Sequence, residues 1–166
     1  MAAGLGHKVT GLDFSPEMLE IARKRGPSLA WVQASAAETG LPDASFDAVV
    51  SAYVMRNLFR GGLLDGSLRE ARRVLAPGGK VMFLDLTRPA NGLLRWGHGL
   101  YMKTALPAVG RLVCGDRWPG DYLKTSIEDL PAEGLLREAF ERAGLKNFKV
   151  LPMSGGIVSL FMAEKV

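Results

Sequence analysis

His7–Ala22, HKVTGLDFSPEMLEIA, packs a strand, an acid and a capped helix start into sixteen consecutive residues. His7–Asp13 reads as a strand that closes on a carboxylate. Ser15-Pro16-Glu17 then opens a helix: Ser at the N-cap, Pro where an N–H has no partner anyway, Glu against the positive helix end. Met18, Leu19, Ile21 and Ala22 supply its apolar face, and Gly26-Pro27 stops it. An acid at the carboxyl end of a strand, followed at once by a helix, is a ribose-binding arrangement. A carboxylate accepts from two vicinal hydroxyls, and open α/β sheets bind ligands at strand C-termini. Asp13 serves equally as an ordinary turn or capping acid, and a ribose site would suit NAD as well as S-adenosylmethionine (SAM).

The rest of the chain repeats the strand–helix alternation expected of an α/β domain. Leu29–Gln33 (LAWVQ) predicts a second strand and Phe46–Val54 (FDAVVSAYV) a third, apolar enough for burial on both faces. Asp65–Ala76 predicts an Arg-rich amphipathic helix with Leu68, Ala71, Val74 and Leu75 inward. Pro77-Gly78-Gly79 turns the chain into a fourth buried strand, Lys80–Leu86 (KVMFLDL). Gly92–Cys114 is mixed helix rich in Leu, Trp and Tyr. Pro131–Ala143 is a helix closed by Gly144. Lys146–Met153 and Ile157–Lys165, joined by Ser154-Gly155-Gly156, form a terminal antiparallel pair. A reversed last strand of this kind favours a methyltransferase sheet over a plain dinucleotide-binding one.

Composition narrows the class. With 166 residues, 48% hydrophobic, the chain suits one domain with a real core and is not disordered. One Cys, Cys114, excludes a disulfide scaffold and fits a reducing compartment. The net charge of +4 is too mild to argue for nucleic acid. No uncharged apolar run reaches the roughly 18 residues of a membrane span, and MAAGLGHKVTG is no signal peptide, so the expected location is cytoplasmic. His7 and His98 have no ligand spacing, and no metal is expected.

Three stretches carry a resemblance: GLDFSPEMLEIA, LPDASFDAVVSAYVMRNL and REARRVLAPGGKVMFLDLTRP. They resemble the class I SAM-dependent methyltransferases, whose sheet is Rossmann-like, mostly parallel, with an antiparallel last strand. More narrowly, the chain looks like the ubiquinone/menaquinone-biosynthesis C-methyltransferases of the UbiE/MenG type. Arg56-Asn57, the Arg73–Gly79 turn running into Leu84-Asp85-Leu86-Thr87, Tyr122-Leu123 with Ser126-Ile127, and Met153–Ile157 with Ser159-Leu160 carry that narrower match.

The resemblance implies SAM as cofactor, with Asp13 at its ribose, Ser35 and Ala36 beside the adenine, Ser51 and Ala52 near its methionine end, and Phe14 also in the cofactor site. It implies a quinol site lined by Arg56, Asn57 and Tyr122, with Arg56 favouring a phenolate and Asn57 holding a ring oxygen. A surface salt bridge is the plain alternative for Arg56. Residues 92–130 read as a helical lid over a lipid-tailed substrate, with Arg95, Lys103 and Arg111 able to meet anionic headgroups at the inner membrane face. An ordinary helical cap reads as well. An oligomer is compatible with all of this. Departures from the family pattern include Ser35 for Asp or Asn, Ala52 for a hydroxyl residue, Ala76 for Lys, Asp85 for Glu, Thr87 for Ser, Gly120 for Tyr and Phe161 for His. Together they blur which quinone, and whether a quinone at all, is the acceptor.

The family's first strand and its DxGxGxG loop have no counterpart in this sequence, so 1–166 reads as a partial, N-terminally truncated domain. That strand would lie between those ending at Asp13 and beginning at Phe46. The expectation is weakened SAM binding, or a sheet that brings those two strands together. The expected function is SAM-dependent C-methylation of a demethylmenaquinol or ubiquinol-precursor ring. The alternatives are methylation of another small molecule, or a non-catalytic fragment of such an enzyme.

Overall fold

The computed structural model describes residues 6–87, 89, 91–114 and 130–166. Among the described residues six strands are interspersed with six α-helices. Strand β1 (Thr10–Asp13) leads into helix α1 (Pro16–Arg25), and β2 (Ala30–Gln33) pairs with β1 in parallel. The third strand, β3 (Phe46–Ala52), is followed by α2 (Met55–Arg60) and α3 (Leu64–Val74). Then come β4 (Leu75–Leu86), α4 (Gly92–Lys103), α5 (Ala105–Cys114), α6 (Glu133–Arg142), β5 (Lys146–Met153) and β6 (Val158–Glu164).

The start of α1 follows its sequence signals. Ser15 Oγ accepts the Met18 N–H at 3.2 Å and Pro16 sits in the first turn. Arg23, Lys24 and Arg25 occupy the last turn, where they complement the negative helix end. Gly11 lies opposite Trp31 in the β1–β2 pair, and the indole covers it so closely that a Cβ would sit 2.1 Å from the ring. Trp31 Nε1 donates to the Gly26 carbonyl at 2.9 Å, locking strand and helix end together.

The strands form two sheets rather than one. The first is β1–β2; the second runs β3-β4-β6-β5, with β3 and β4 parallel and β6 antiparallel to both its neighbours. The terminal pair is therefore as expected, but the gap-closing alternative is not: β1 and β3 do not pair. Among the described residues β3 is consequently an edge strand, and its burial differs from expectation. Instead of being covered on both faces it alternates half-buried and exposed, with Val50 at 68% exposure. It also ends two residues early, at Ala52, because Tyr53 turns the chain into a left-handed conformation.

The main core lies between the four-stranded sheet and helices α2, α3 and α6. Val81 and Phe83 of β4, Phe161 and Ala163 of β6, Leu68 and Ala71 of α3, and Leu136 and Phe140 of α6 form one buried cluster. Phe140 stacks edge-on against Phe83 and at 4.8 Å from Phe148. Aromatic pairs in such geometry add about 0.5–1.5 kcal/mol to their area burial. α2 has no counterpart among the predicted elements; it seats Met55 and Leu58 in this core.

Candidate functional site

The C-terminal ends of β1, β2 and β3 carry most of the candidate residues. At the first of these, Asp13 is half-buried and its Oδ1 accepts the Ser15 N–H at 3.0 Å. The turn-capping role is thus real. A carboxylate has about four lone-pair positions, so one accepted bond leaves room for a diol. The Ala34 N–H donates to the Asp13 carbonyl at 3.2 Å, which draws the chain leaving β2 against the end of β1. Ser35 and Ala36 follow there, half-buried, with Ser35 Oγ accepting the Ala37 N–H at 3.2 Å. Phe14 projects beside them, 78% exposed. An acid with small residues on the neighbouring strand end fits the nucleoside half of SAM: carboxylate for ribose, compact backbone for an adenine edge.

At the end of β3, Ser51 is half-buried and Ala52 exposed. Tyr53 has φ of 59° and is fixed there by its N–H donating to the Leu84 carbonyl at 2.8 Å. A bulky non-glycine residue in this region is strained, and such strain gathers at ligand sites. Arg56, in the first turn of α2, is buried at 7% exposure, and Asn57 beside it is exposed.

Arg56 is seated by Asp85, which is completely buried on β4. Arg56 Nε lies 2.9 Å from Asp85 Oδ1, the Arg56 N–H donates to Oδ2 at 3.4 Å, and the Leu86 N–H donates to Oδ1 at 2.8 Å. Burial pushes the Asp85 carboxyl above the ordinary aspartate range; the Arg56 charge and the amides of Leu86, Arg56 and Met55 pull in the other direction. Ser159, directly opposite Asp85 on β6, shares a 2.9 Å contact with Thr87 Oγ1, which donates to the Gly156 carbonyl at 2.8 Å. The C-terminal end of the four-stranded sheet therefore holds a buried polar cluster under Arg56, not a surface salt bridge.

Asp13, Phe14, Ser35 and Ala36 are thus gathered at one pair of strand ends, and Ser51, Ala52, Arg56 and Asn57 at another. Tyr122 lies outside the described residues. Of the lid segment, α4 and α5 are described: Leu94 reaches the Ser154–Gly156 turn, while Trp96, Val109 and Leu112 are exposed. Two residues escaped the sequence reading of the site. Asp85 was legible as an acid inside the apolar strand KVMFLDL, which demands a partner. Tyr53 gave no signal, because nothing in AYVM marks a left-handed residue. Among the described residues no cluster of three His, Cys, Asp or Glu is placed to hold a metal, and no helix is long and apolar enough to cross a membrane.

Comparison with known proteins gives concordant results. The profile of the ubiE/COQ5 methyltransferase family matches residues 1–165. A demethylmenaquinone methyltransferase of Chlamydia trachomatis is 36% identical over 159 residues, 94% of this chain and 68% of that protein. The ubiquinone/menaquinone biosynthesis C-methyltransferase UbiE of Hahella chejuensis is 34% identical over 168 residues, 98% of this chain and 66% of that one. The chain thus spans about two thirds of the length of these relatives. In fold it is similar to a SAM-dependent methyltransferase of Thermotoga maritima, with a TM-score of 0.65 and 19% identity, covering 99% of this chain and 76% of that one.

Proposed function

The chain belongs to the ubiE/COQ5 methyltransferase family, and on that premise we propose that it methylates a ring carbon of a reduced quinone precursor, with SAM as donor. The observation that carries the proposal is Arg56, held by a wholly buried Asp85 at the C-terminal end of the sheet and followed by exposed Asn57. The relatives whose names specify demethylmenaquinone or ubiquinone/menaquinone biosynthesis support the choice of acceptor.

SAM, when bound, supplies an electrophilic methyl group. Asp13 accepts the ribose hydroxyls, and Ser35 and Ala36 face the adenine. Ser51 and Ala52 leave space at the methionine end. The chain's work on the acceptor is to orient the ring and to favour loss of a hydroxyl proton, since a phenolate enriches the adjacent carbon in electron density. Arg56 contributes positive charge toward that oxygen, lowering its pKa. Asn57 hydrogen-bonds a ring oxygen and fixes which carbon is presented. The exposed apolar residues of α4 and α5, Trp96 and Leu112 among them, cover a lipophilic tail at the inner membrane face.

The test is methyl transfer from labelled SAM to demethylmenaquinol beside a water-soluble phenol. Methylation of the quinol ring is expected. Preference for the phenol would assign the chain to another small-molecule methyltransferase. SAM binding without transfer to either acceptor would make it a non-catalytic member of the family.

A further inference from the structure

At the other end of the four-stranded sheet, a cavity of about 630 Å³ opens between the exits of α3, α6 and β6 and the entry to β3. It lies six strand steps, about 20 Å, from Ala52, so it is no part of the site described above. Its lining is strongly cationic: Arg69, Arg72 and Arg73 of α3, Arg142 of α6, and Lys165 beyond β6, against one carboxylate, Asp43.

The charges divide into two groups. Arg73 is matched by two carboxylates: its Nε and a terminal nitrogen bind Glu70, another binds Asp43, and the Leu41 carbonyl accepts at 2.7 Å. Arg142 is matched by Asp65 at 3.1 Å and Glu138 at 3.9 Å. Asp43 is therefore committed to Arg73.

Arg72 and Lys165 are held by carbonyls, which fix them without cancelling their charge. Arg72 Nε donates to Gly144 O at 3.2 Å and Lys165 Nζ to Leu75 O at 2.6 Å. Gly144, at φ of +78°, is what lets the guanidinium lie there; a Cβ would sit 2.7 Å from Arg72 Nε. A guanidinium has five N–H donors and an ammonium three, so each keeps donors beyond its anchoring bond. Arg69 is exposed on the same lining. Three cations gathered around one concavity, two of them preset by backbone anchors, repel one another until an anion enters. Bidentate Arg geometry matches tetrahedral oxyanions.

We infer that this cavity binds a small phosphate-bearing anion through Arg69, Arg72 and Lys165, at a site independent of methyl transfer. The inference does not rest on the proposed reaction, and its test needs no turnover. The 15N-labelled chain is titrated with pyrophosphate at low and moderate salt, alone and with vesicles containing phosphatidylglycerol. Saturable shifts centred on Ala44, Gly144 and Lys165 are expected, weakening with salt. Arg69→Gln, a surface change with no anchoring role, is expected to weaken binding about three- to tenfold, as loss of one charge-assisted contact at a solvated site should. Lys165→Gln is expected to do the same. Arg23→Gln, on the basic end of α1, is expected to leave binding unchanged.

Non-saturating shifts would overturn the site, as would shifts centred on Arg23–Arg25 or Arg69→Gln and Lys165→Gln titrating like the parent. Vesicle capture that depends on Arg69 would keep the phosphate chemistry and assign its source to a lipid headgroup.

Discussion

Asp85 is the residue on which the candidate acceptor site turns. Its carboxyl is wholly buried, and what makes that tolerable is Arg56 with the amides at the start of α2. Removing one partner leaves the other charge in the interior without its counter-ion, which costs about 3–5 kcal/mol. Asp85→Asn and Arg56→Met are each expected to lower stability on that scale. The double variant Arg56→Met/Asp85→Leu is expected to recover much of the loss, because two apolar side chains leave no charge stranded. Urea unfolding of the three variants reads this directly. Equal additive losses would mean the two side chains do not depend on one another. Methyl transfer separates the roles: the double variant is expected to fold and to lose activity toward the quinol. Tyr53 makes the converse case. Its left-handed backbone favours glycine, so Tyr53→Gly is expected to leave thermal stability level or raise it by up to about 1 kcal/mol. If the aromatic ring is there for the ligand, the same change raises the KM for acceptor. Loss of stability instead would show that the ring packs to hold the fold.

Helix α3 is the element that joins the two sheets. Its inner face is core, but its outer face pins the long connection from β2 to β3. Glu70 Oε1 accepts from Thr39 N–H at 2.8 Å and Thr39 Oγ1 at 2.6 Å, and the same carboxylate binds Arg73. The Ala44 and Ser45 amides donate to the Arg73 and Val74 carbonyls at the helix exit. The Arg73 guanidinium, with the Thr39 donors, lowers the Glu70 carboxyl from 4.5 to about 2. A carboxylate whose pKa is depressed in the folded state adds stability above its unfolded value. That contribution is fully present above pH 4.5 and is lost as pH falls through about 2. Glu70→Gln is expected to remove roughly 1–2 kcal/mol at neutral pH, solvent screening included, and to flatten the acid limb of a pH–stability curve. An unchanged acid limb would mean that other carboxylates govern it.

Most of these elements were legible beforehand. Ser15-Pro16-Glu17, the Gly144 stop and the apolar strands each carry local chemistry that names them. What was not legible depended on neighbours. β3 is as apolar as a central strand, and its exposure follows from sheet order, which no local pattern encodes. α2 is one and a half turns long, too short for periodicity to show. Gly11 carries no local sign of the Trp31 ring that lies across it. The pairing of Arg56 with Asp85 spans 29 residues, so the sequence could name each residue but not their contact.

At the scale of the whole molecule, the two sheets are unequally buried. The buried cluster gathers α2, α3, α6 and the strands between them. Over β1–β2, Leu19 of α1 is fully buried yet lies outside that cluster. Among the described residues β1 and β3 each have one edge that no strand pairs, and backbone amides on such an edge are open to water unless covered. Regions with few buried contacts open with smaller free energies than the global transition. Amides of β4 and β6, each paired on both sides, are therefore expected to show the highest protection in native-state hydrogen exchange. Those of β1 and β2 are expected to exchange through a separate, lower-energy opening.

The chain between the two sheets is the connection pinned by Glu70. Glu70→Gln is accordingly expected to lower protection in β1, β2 and α1 while leaving the β4–β6 centre close to the parent. A single protection value shared by all six strands, falling together in the variant, would mean the two sheets unfold as one. If they open separately, Asp13 and Ser35, both on the smaller unit, sit on the less stable half. A ligand that binds there must then supply the free energy of ordering it, and SAM added to the chain is expected to raise protection in β1 and β2 before it changes β4 or β6.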